Sequence, residues 1–588
     1  MSKNINDFLP LLKPYKKEIL LAFFSILVTN LLGLAFPWVI KIVVDDILIR
    51  KDALLLNITV VSLAVIFGLR FCFGYLREYL VCGVGEKVVR DLRLRLYRHL
   101  HRLSVRYVEN TPGGSVISGI IGDTESIRKF LFGGMIDFLY SFFNIFFVLI
   151  ILFILDWRLT LVSLLFFPFF AGLFIKFTPR LKARHSFLRG KYDELTARLN
   201  EVLSGIRVVS GLAKEEYESR RFALRQEEIL EASLGSHRLG ILLWMAAEFL
   251  SSLGLAVIIW AGAKAVFSGR VSAGTLMAFY SYLGMLFSPV IKMVIINNYY
   301  QEARASLERI NRMLLTEPAI REMKHPVVLS GLKGNVRFRD VSFTYDNGKG
   351  ALWDINLEVR PDETVALVGK SGAGKTTLIN LILRFYDPLR GAVFIDGHNL
   401  KTLQLASYRR NIAMVLQDDY LFGASIRENI LYARPDAGEK QMIRAAELAN
   451  AHQFISALAR GYDTHIGERG IKLSYGQRQR ISIARAIVSE PDLLILDEAT
   501  SSVDSETERR IIEDAYKNLA RGRTTFIISH RLSSVSYADK IVFIDQGRIV
   551  EEGGHFELLD KKGYYWKMWQ EQNRDAVLRY DAALQKAD

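Results

Sequence analysis

Six long apolar runs dominate the first 315 residues of this 588-residue chain, near 19–40, 58–82, 133–155, 159–178, 240–265 and 273–297. A helix needs about 20 residues to cross about 30 Å of hydrocarbon, and each run is close to that length. The run at 133–155 carries a single acid, Asp137. Buried helices of a soluble protein seldom supply six such runs within about 300 residues. The pattern predicts an all-α membrane domain of six spans. A chain that is 50% hydrophobic yet 23% charged then joins two materials, an apolar part and a polar part. Disorder is excluded, because it needs low hydrophobicity. A disulfide scaffold is excluded too, since Cys72 and Cys82 are the only cysteines. Ten residues of helical rise would set them about 15 Å apart, beyond bridging distance.

The net charge is +14. Residues 1–330 hold 40 Lys and Arg against 27 Asp and Glu, while the remainder holds 36 against 35. The excess therefore lies in the apolar half, which argues against a nucleic-acid partner. Three short polar links, at 41–57, 156–158 and 264–271, carry six Lys and Arg. Residues 1–18, 83–128, 176–239 and 298–330 carry 30. By the positive-inside rule this second set is cytoplasmic, and so are both termini. No cleavable signal pattern precedes the first run. The expected location is the cytoplasmic membrane.

Residues 85–105 and 180–222 are charged, nearly free of proline and rich in helix formers, so they read as spans continued into the cytosol. Each contains a break. One is Thr111-Pro112-Gly113-Gly114, which resembles a turn opening a helix. The other is Ser204-Gly205-Ile206-Arg207. Such helices also suit coiled-coil spacers.

The apolar pattern stops near Leu315, and residues 316–334, with Pro318 and Pro326, read as a linker. Strand patterns follow at 335–345, 355–359 and 364–368, and helical ones at 376–384 and 477–488. Their alternation implies an α/β domain over 335–575 and leaves 576–588 as a tail. The fold class is thus a multidomain membrane protein, a six-helix all-α domain at 1–315 with long helical extensions and then an α/β domain.

Gly369-Lys370-Ser371-Gly372-Ala373-Gly374-Lys375-Thr376 fits G-x-x-x-x-G-K-[ST] between an apolar strand and a helix. Glycines there let backbone N–H groups face phosphate oxygens, and the helix N-terminus adds positive potential. Lys375 would reach the β- and γ-phosphates and Thr376 would ligate Mg²⁺. Leu493-Leu494-Ile495-Leu496-Asp497-Glu498 is an apolar strand ending in two acids. Asp497 is the candidate carboxylate on the Mg²⁺ side and Glu498 the candidate general base. His530 ends a second β-rich run and could hold the γ-phosphate.

These motifs, with Leu473-Ser474-Tyr475-Gly476-Gln477, resemble the ATP-binding cassette transporters of exporter type over essentially the whole chain. The resemblance implies further roles. Tyr345 matches the aromatic that stacks on adenine, and Thr377 joins the phosphate loop. Ser474, Gly476 and Gln477 match the signature, which usually has Gly where this chain has Tyr475. Gln417 matches the residue between the Mg²⁺ site and the membrane domain. Gly467-Glu468-Arg469-Gly470 resembles the exporter-specific loop, and Ser501-Ser502-Val503-Asp504 the loop after the catalytic Glu. Thr111, Gly113, Gly205, Arg207, Glu468 and Asp504 are then candidates for coupling. Two nucleotide domains would pair head to tail around ATP, so a dimer is implied, a homodimer or a pair with a paralogous half-transporter.

Ionisable residues inside spans mark candidate cargo contacts. Arg70, Glu248, Ser288 and Lys292 are named on that ground, with Arg77 near the face of Arg70. Snorkelling also suits Lys292, and an interhelical ion pair also suits Arg70. An amphipathic cavity with basic anchors fits a lipid-like anion or an apolar drug. The expected function is ATP-driven export or flipping of such a molecule. Peptide or drug export by a heterodimer and an ATP-gated channel are the alternatives.

Overall fold

The computed structural model describes residues 9–345, 350–416, 420–497, 506–529 and 531–572, with backbone only at 9, 287–295, 297, 350, 506–510, 512–513 and 533–534. The chain forms two compact units. One comprises residues 1–101 and 111–316, the other 102–110 and 317–588.

The secondary structure of the first unit is helical among the described residues. Among the described residues, five helical stretches are long and apolar enough to cross a membrane: Pro10–Arg50, Ala53–Leu100, Gly113–Leu155, Trp157–Ser204 and Glu215–Phe267. The sixth apolar run lies on the helix Ala273–Leu315. The polar links between runs prove to be helix starts. Asp52 accepts from the Leu55 N–H at 2.9 Å. Asp156 accepts from the N–H groups of Arg158 and Leu159, both at 2.8 Å. Ser272 accepts from the Thr275 N–H at 3.0 Å. Each satisfies donors that the first helical turn leaves without partners.

Packing inside this unit is apolar with a few polar ties. Val148, Leu152, Ile258, Ala278, Phe279, Tyr282 and Leu286 form one buried cluster, where the Tyr282 hydroxyl donates to the Leu34 carbonyl at 2.5 Å. The stretch Pro10–Arg50 contains a π-helical turn, Val43–Ile47. Asp45 on that turn accepts from the Gly274 N–H at 2.8 Å and from the Ser272 hydroxyl. Two more π turns, Gly119–Asp123 and Lys129–Gly134, interrupt the third stretch. Buried Asp123 accepts from the Ser306 hydroxyl at 2.9 Å and pairs with Arg309. Cys72 and Cys82 are free.

Among the described residues, the second unit carries ten strands. They are β1 (Val336–Thr344), β2 (Gly350–Val359), β3 (Thr364–Val368), β4 (Arg390–Ile395) and β5 (His398–Asn399), then β6 (Ile412–Val415), β7 (Leu493–Asp497), β8 (Thr524–Ile528), β9 (Lys540–Asp545) and β10 (Arg548–Gly553). One sheet is antiparallel, in the order β2-β1-β4-β5, and the other runs β10-β9-β3-β8-β7-β6. In the second sheet only the β10 pairing is antiparallel. Its central strands are buried on both faces, hence their unbroken apolar runs. Alternation then sorts their side chains. Val365, Leu367, Leu493 and Ile495 join a core with β1 and β2. Ala366, Val368, Leu494 and Leu496 face the helix Tyr475–Val488 through Ile481, Ala484 and Ile487. Strand β2 starts five residues before the sequence pattern indicates, because Gly350 pairs with Thr344 in the β1–β2 hairpin.

Candidate functional site

The glycine loop joins β3 to the helix Lys375–Ile382. Gly372 and Gly374 adopt φ of +78° and +110°, a region that side chains rarely enter. A β carbon on Gly374 would also come within 2.6 Å of the Ala351 carbonyl oxygen. Ser371 is exposed, Ala373 is buried, and Thr376 is exposed just inside the helix. Lys375 is only 5% exposed, and its ammonium donates to the carbonyls of Gly369 and Lys370, both at 2.9 Å. The loop thereby folds around its own cation beside a helix N-terminus, an arrangement that suits a bound phosphate chain.

Asp497 ends β7, and its charge acts on Lys375. Burial pushes the Asp497 carboxyl above its ordinary value, and Lys375 offsets part of that rise. Burial likewise pushes the Lys375 ammonium down, with Asp497 opposing. Each group is therefore an incompletely compensated charge. Glu498, His530, Gln417 and Asp504, named from the sequence, lie outside the described residues.

Tyr345 follows β1 and is half-buried. Its hydroxyl shares a 3.0 Å hydrogen bond with the Thr377 hydroxyl, so the candidate adenine platform is tied to the phosphate loop. Its ring meets Phe343 edge-on, with centroids 4.9 Å apart.

The signature begins the helix Tyr475–Val488. The Ser474 side chain accepts from the Gln477 N–H at 3.2 Å, and Gln477 Oε1 accepts from the Ser474 N–H at 3.0 Å. This reciprocal cap explains a Ser three residues before a Gln. Gly476 is buried. Tyr475 is absent from the residues with positive φ, so a tyrosine takes this backbone without strain. Its ring lies 5.8 Å from the Arg478 guanidinium carbon. The chain's departure from glycine thus has no conformational cost at this position.

The candidate coupling residues fall at breaks, with one shift. Gly205 ends the helix Phe167–Ser204 and precedes the short helix Ile206–Gly211, which holds Arg207. In the first excursion the short helix is Val105–Asn110, upstream of Thr111. Gly113 instead opens the returning long helix after Pro112. Glu468 is exposed in a 3₁₀ turn, Glu468–Gly470.

In the membrane unit Arg70 lines a cleft of about 480 Å³ with Thr29, Phe67, Phe71, Arg77, Asp137 and Tyr140. The Arg77 guanidinium lies over the Tyr140 ring at 5.3 Å. Glu248 is exposed and does not line this cleft, and the side chains of Ser288 and Lys292 lie outside the described residues. Sequence reading missed Asp137 as a cleft residue. As the lone acid of its apolar run it carried the signal that would have named it.

The match to known proteins spans both units. Residues 19–290 fit the family model for the ABC transporter transmembrane region and residues 352–501 that for the ABC transporter. An ATP-dependent lipid A-core flippase of Syntrophus aciditrophicus is 36% identical over 96% of this chain and 94% of its own. An ATP-binding/permease protein of Bacillus subtilis, provisionally assigned to multidrug export, is 36% identical over 96% of this chain and 99% of its own. The solved structure of a bacterial Atm1-family ABC exporter with ATP bound superposes with a TM-score of 0.80 at 29% identity, covering 95% of this chain and 98% of that one. Helical spans and a phosphate-loop ATPase on one polypeptide, matched over nearly their full length, place this chain in the ABC transporter family as an exporter half-transporter that binds ATP and couples its hydrolysis to export across a membrane.

Proposed function

We propose that two copies of this chain form a homodimer in the cytoplasmic membrane and move a lipid-like or amphipathic hydrophobic molecule outward. Both termini and the ATPase unit lie on the cytoplasmic side in this reading. The observation that carries the cargo class is the cleft holding Arg70 and Arg77 within the apolar stretch Ala53–Leu100. A guanidinium at membrane depth is costly, so it persists where it faces a partner or a pathway. Thr29, Tyr140 and Asp137 add polar groups, while Phe67 and Phe71 add apolar surface. That mixture suits a molecule with an anionic head and an apolar body. The flippase and multidrug names carried by the relatives support the same class.

In the ATPase unit the loop 369–376 would cradle the phosphates, Lys375 would reach the β- and γ-oxygens, and Tyr345 would stack on adenine. Ser474, Gly476 and Gln477 of the second copy would close the site. Glu498 would polarise the attacking water and His530 would hold the γ-phosphate. Thr376, Asp497 and Gln417 would hold Mg²⁺. The half-buried Asp497 carboxylate, which Lys375 only partly compensates, fits a divalent cation. So does a small donor set, because Mg²⁺ at a nucleotide keeps phosphate and water ligands. Bound there, the ion supplies neutralisation of phosphate charge. ATP spanning both copies stabilises the closed pair over the open one, and only such differential binding shifts the population. Hydrolysis removes that bridge. The motif positions of this chain hold the residue types that two complete sites need, which favours a homodimer.

The test uses proteoliposomes containing the purified chain with Arg70→Ala and Arg70→Lys. Lipids bearing a phosphate head should stimulate ATPase activity and be moved by the parent chain. Arg70→Ala should lose both, and Arg70→Lys should keep part. Unchanged stimulation and movement in Arg70→Ala would overturn the anionic-head reading. A preparation that is monomeric and inactive until a second gene product is added would overturn the homodimer.

A further inference from the structure

Arg102–Asn110 clusters with the nucleotide-binding unit, although it lies along the chain between two membrane helices. Its helix Val105–Asn110 bears Glu109. The Tyr386 hydroxyl donates to Glu109 Oε2 at 3.1 Å. The Tyr386 ring in turn meets the Tyr345 ring edge-on, with centroids 5.5 Å apart and planes at 84°. Phe343 completes the aromatic trio, 5.3 Å from Tyr386.

The segment that carries Tyr386 is fixed on several sides. Arg384, 2% exposed, bonds Asp387 at 3.1 Å and the Arg321 carbonyl at 3.1 Å. The Phe385 N–H returns to the Asn380 carbonyl at 2.9 Å, and Arg409 lies over the Phe385 ring at 5.2 Å. Tyr386 itself is largely buried. Burial, then Glu109, pushes its phenol up to about 12, so the hydroxyl stays a proton donor at working pH. One member of the trio, Tyr345, is thus the candidate adenine platform, and the Tyr386 hydroxyl reaches the segment that leads back to the spans.

We propose that Tyr386 is a positioning residue that links adenine occupancy at Tyr345 to the helix Val105–Asn110, through ring contact on one side and the Glu109 carboxylate on the other. Adenine stacked on Tyr345 restrains that ring, and the restraint passes by contact to Tyr386 and by hydrogen bond to Glu109. Nucleotide binding and the membrane segment then share one coupling free energy, which acts in both directions. The inference rests on the proposed placement of adenine against Tyr345.

The test uses full-length chain in proteoliposomes and the variants Tyr386→Phe, Glu109→Ala, Glu109→Gln and Tyr345→Ala. Tyr386→Phe keeps the ring and loses the donor. Its basal ATPase rate, KM for ATP and melting temperature should stay within about twofold or a few degrees of the parent, while cargo moved per ATP hydrolysed falls about fivefold or more. Glu109→Ala should match it, Glu109→Gln should recover part, and the double variant Tyr386→Phe/Glu109→Ala should be no worse than either single one. Tyr345→Ala should weaken binding of a fluorescent ATP analogue. If it does not, the adenine placement fails. If it does, and Tyr386→Phe leaves the cargo-to-ATP ratio unchanged or the two single effects add, the link through Tyr386 is overturned.

Discussion

Replacing Gly374 with alanine should cripple nucleotide binding far more than the same change at Gly372. Both residues sit in the left-handed region, with φ of +110° and +78°. That backbone costs a residue with a side chain about 1–2 kcal/mol. Space separates the two positions. A β carbon on Gly372 meets nothing within 4 Å, whereas one on Gly374 comes 2.6 Å from the Ala351 carbonyl oxygen and 2.8 Å from Leu352 Cδ2. The clash is with strand β2 and adds an overpacking cost of about 1–3 kcal/mol. Gly374→Ala therefore carries about 2–5 kcal/mol and Gly372→Ala about 1–2. The loop relieves the strain by opening, and the opened loop loses its phosphate cradle. At about 1.4 kcal/mol per decade, Gly374→Ala should weaken binding of a fluorescent ATP analogue about thirtyfold or more, and Gly372→Ala about five- to thirtyfold. Thermal melts without nucleotide show whether any strain is instead held in the fold. Two variants with equal affinity and equal melting temperature would refute the close approach to β2.

Three further outcomes follow from the same site. Glu498→Gln should bind ATP but release phosphate about 10²–10⁴ times more slowly, and near-normal hydrolysis would remove Glu498 as the base. Tyr475→Gly should lower stability by about 1–3 kcal/mol, through lost packing against the core that the helix Tyr475–Val488 faces and the lost Arg478 contact, and leave turnover within about fivefold. A dead enzyme would show that the phenol acts directly. Asp497→Asn should raise the melting temperature of the nucleotide-free protein at neutral pH. The folded-state pKa of Asp497 is raised, so its ionisation opposes folding above the ordinary value of 3.8 and the gain should vanish as pH falls through that value. A variant that melts lower at neutral pH would contradict the burial argument.

The parts of this molecule legible in the sequence are those written locally. Spans announce themselves because a bilayer demands unbroken apolar length. The phosphate loop is legible because its glycines occupy backbone that other residues avoid. Asp52, Asp156 and Ser272 could be read as breaks, and the structure makes them helix caps. Contacts between distant segments left no such trace. Nothing in the chain's periodicity brings Asp137 to Arg70, or Glu109 to Tyr386. Pro and Gly punctuate the chain at Thr111, so the sequence marks the first break between spans there. The short helix lies before that signal, since Val105–Asn110 has no breaker of its own. The π turns at Val43–Ile47 and Lys129–Gly134 are invisible for a related reason, because hydrophobic spacing does not encode which carbonyl each N–H finds.

The helix Glu215–Phe267 has 53 residues. At about 1.5 Å per residue it is about 80 Å long, of which the hydrocarbon takes about 30 Å. Some 50 Å of rod therefore projects beyond the bilayer. A rod of that proportion is a lever pivoting near the membrane surface. A sideways push of about 5 Å at its far tip tilts it by roughly 6°, which moves the opposite end by about 3 Å. The membrane stretch is the shorter arm, so the gearing trades distance for force. That suits an engine that must part tightly packed helices by a small amount, and it makes stiffness along the rod a requirement for work to arrive at all.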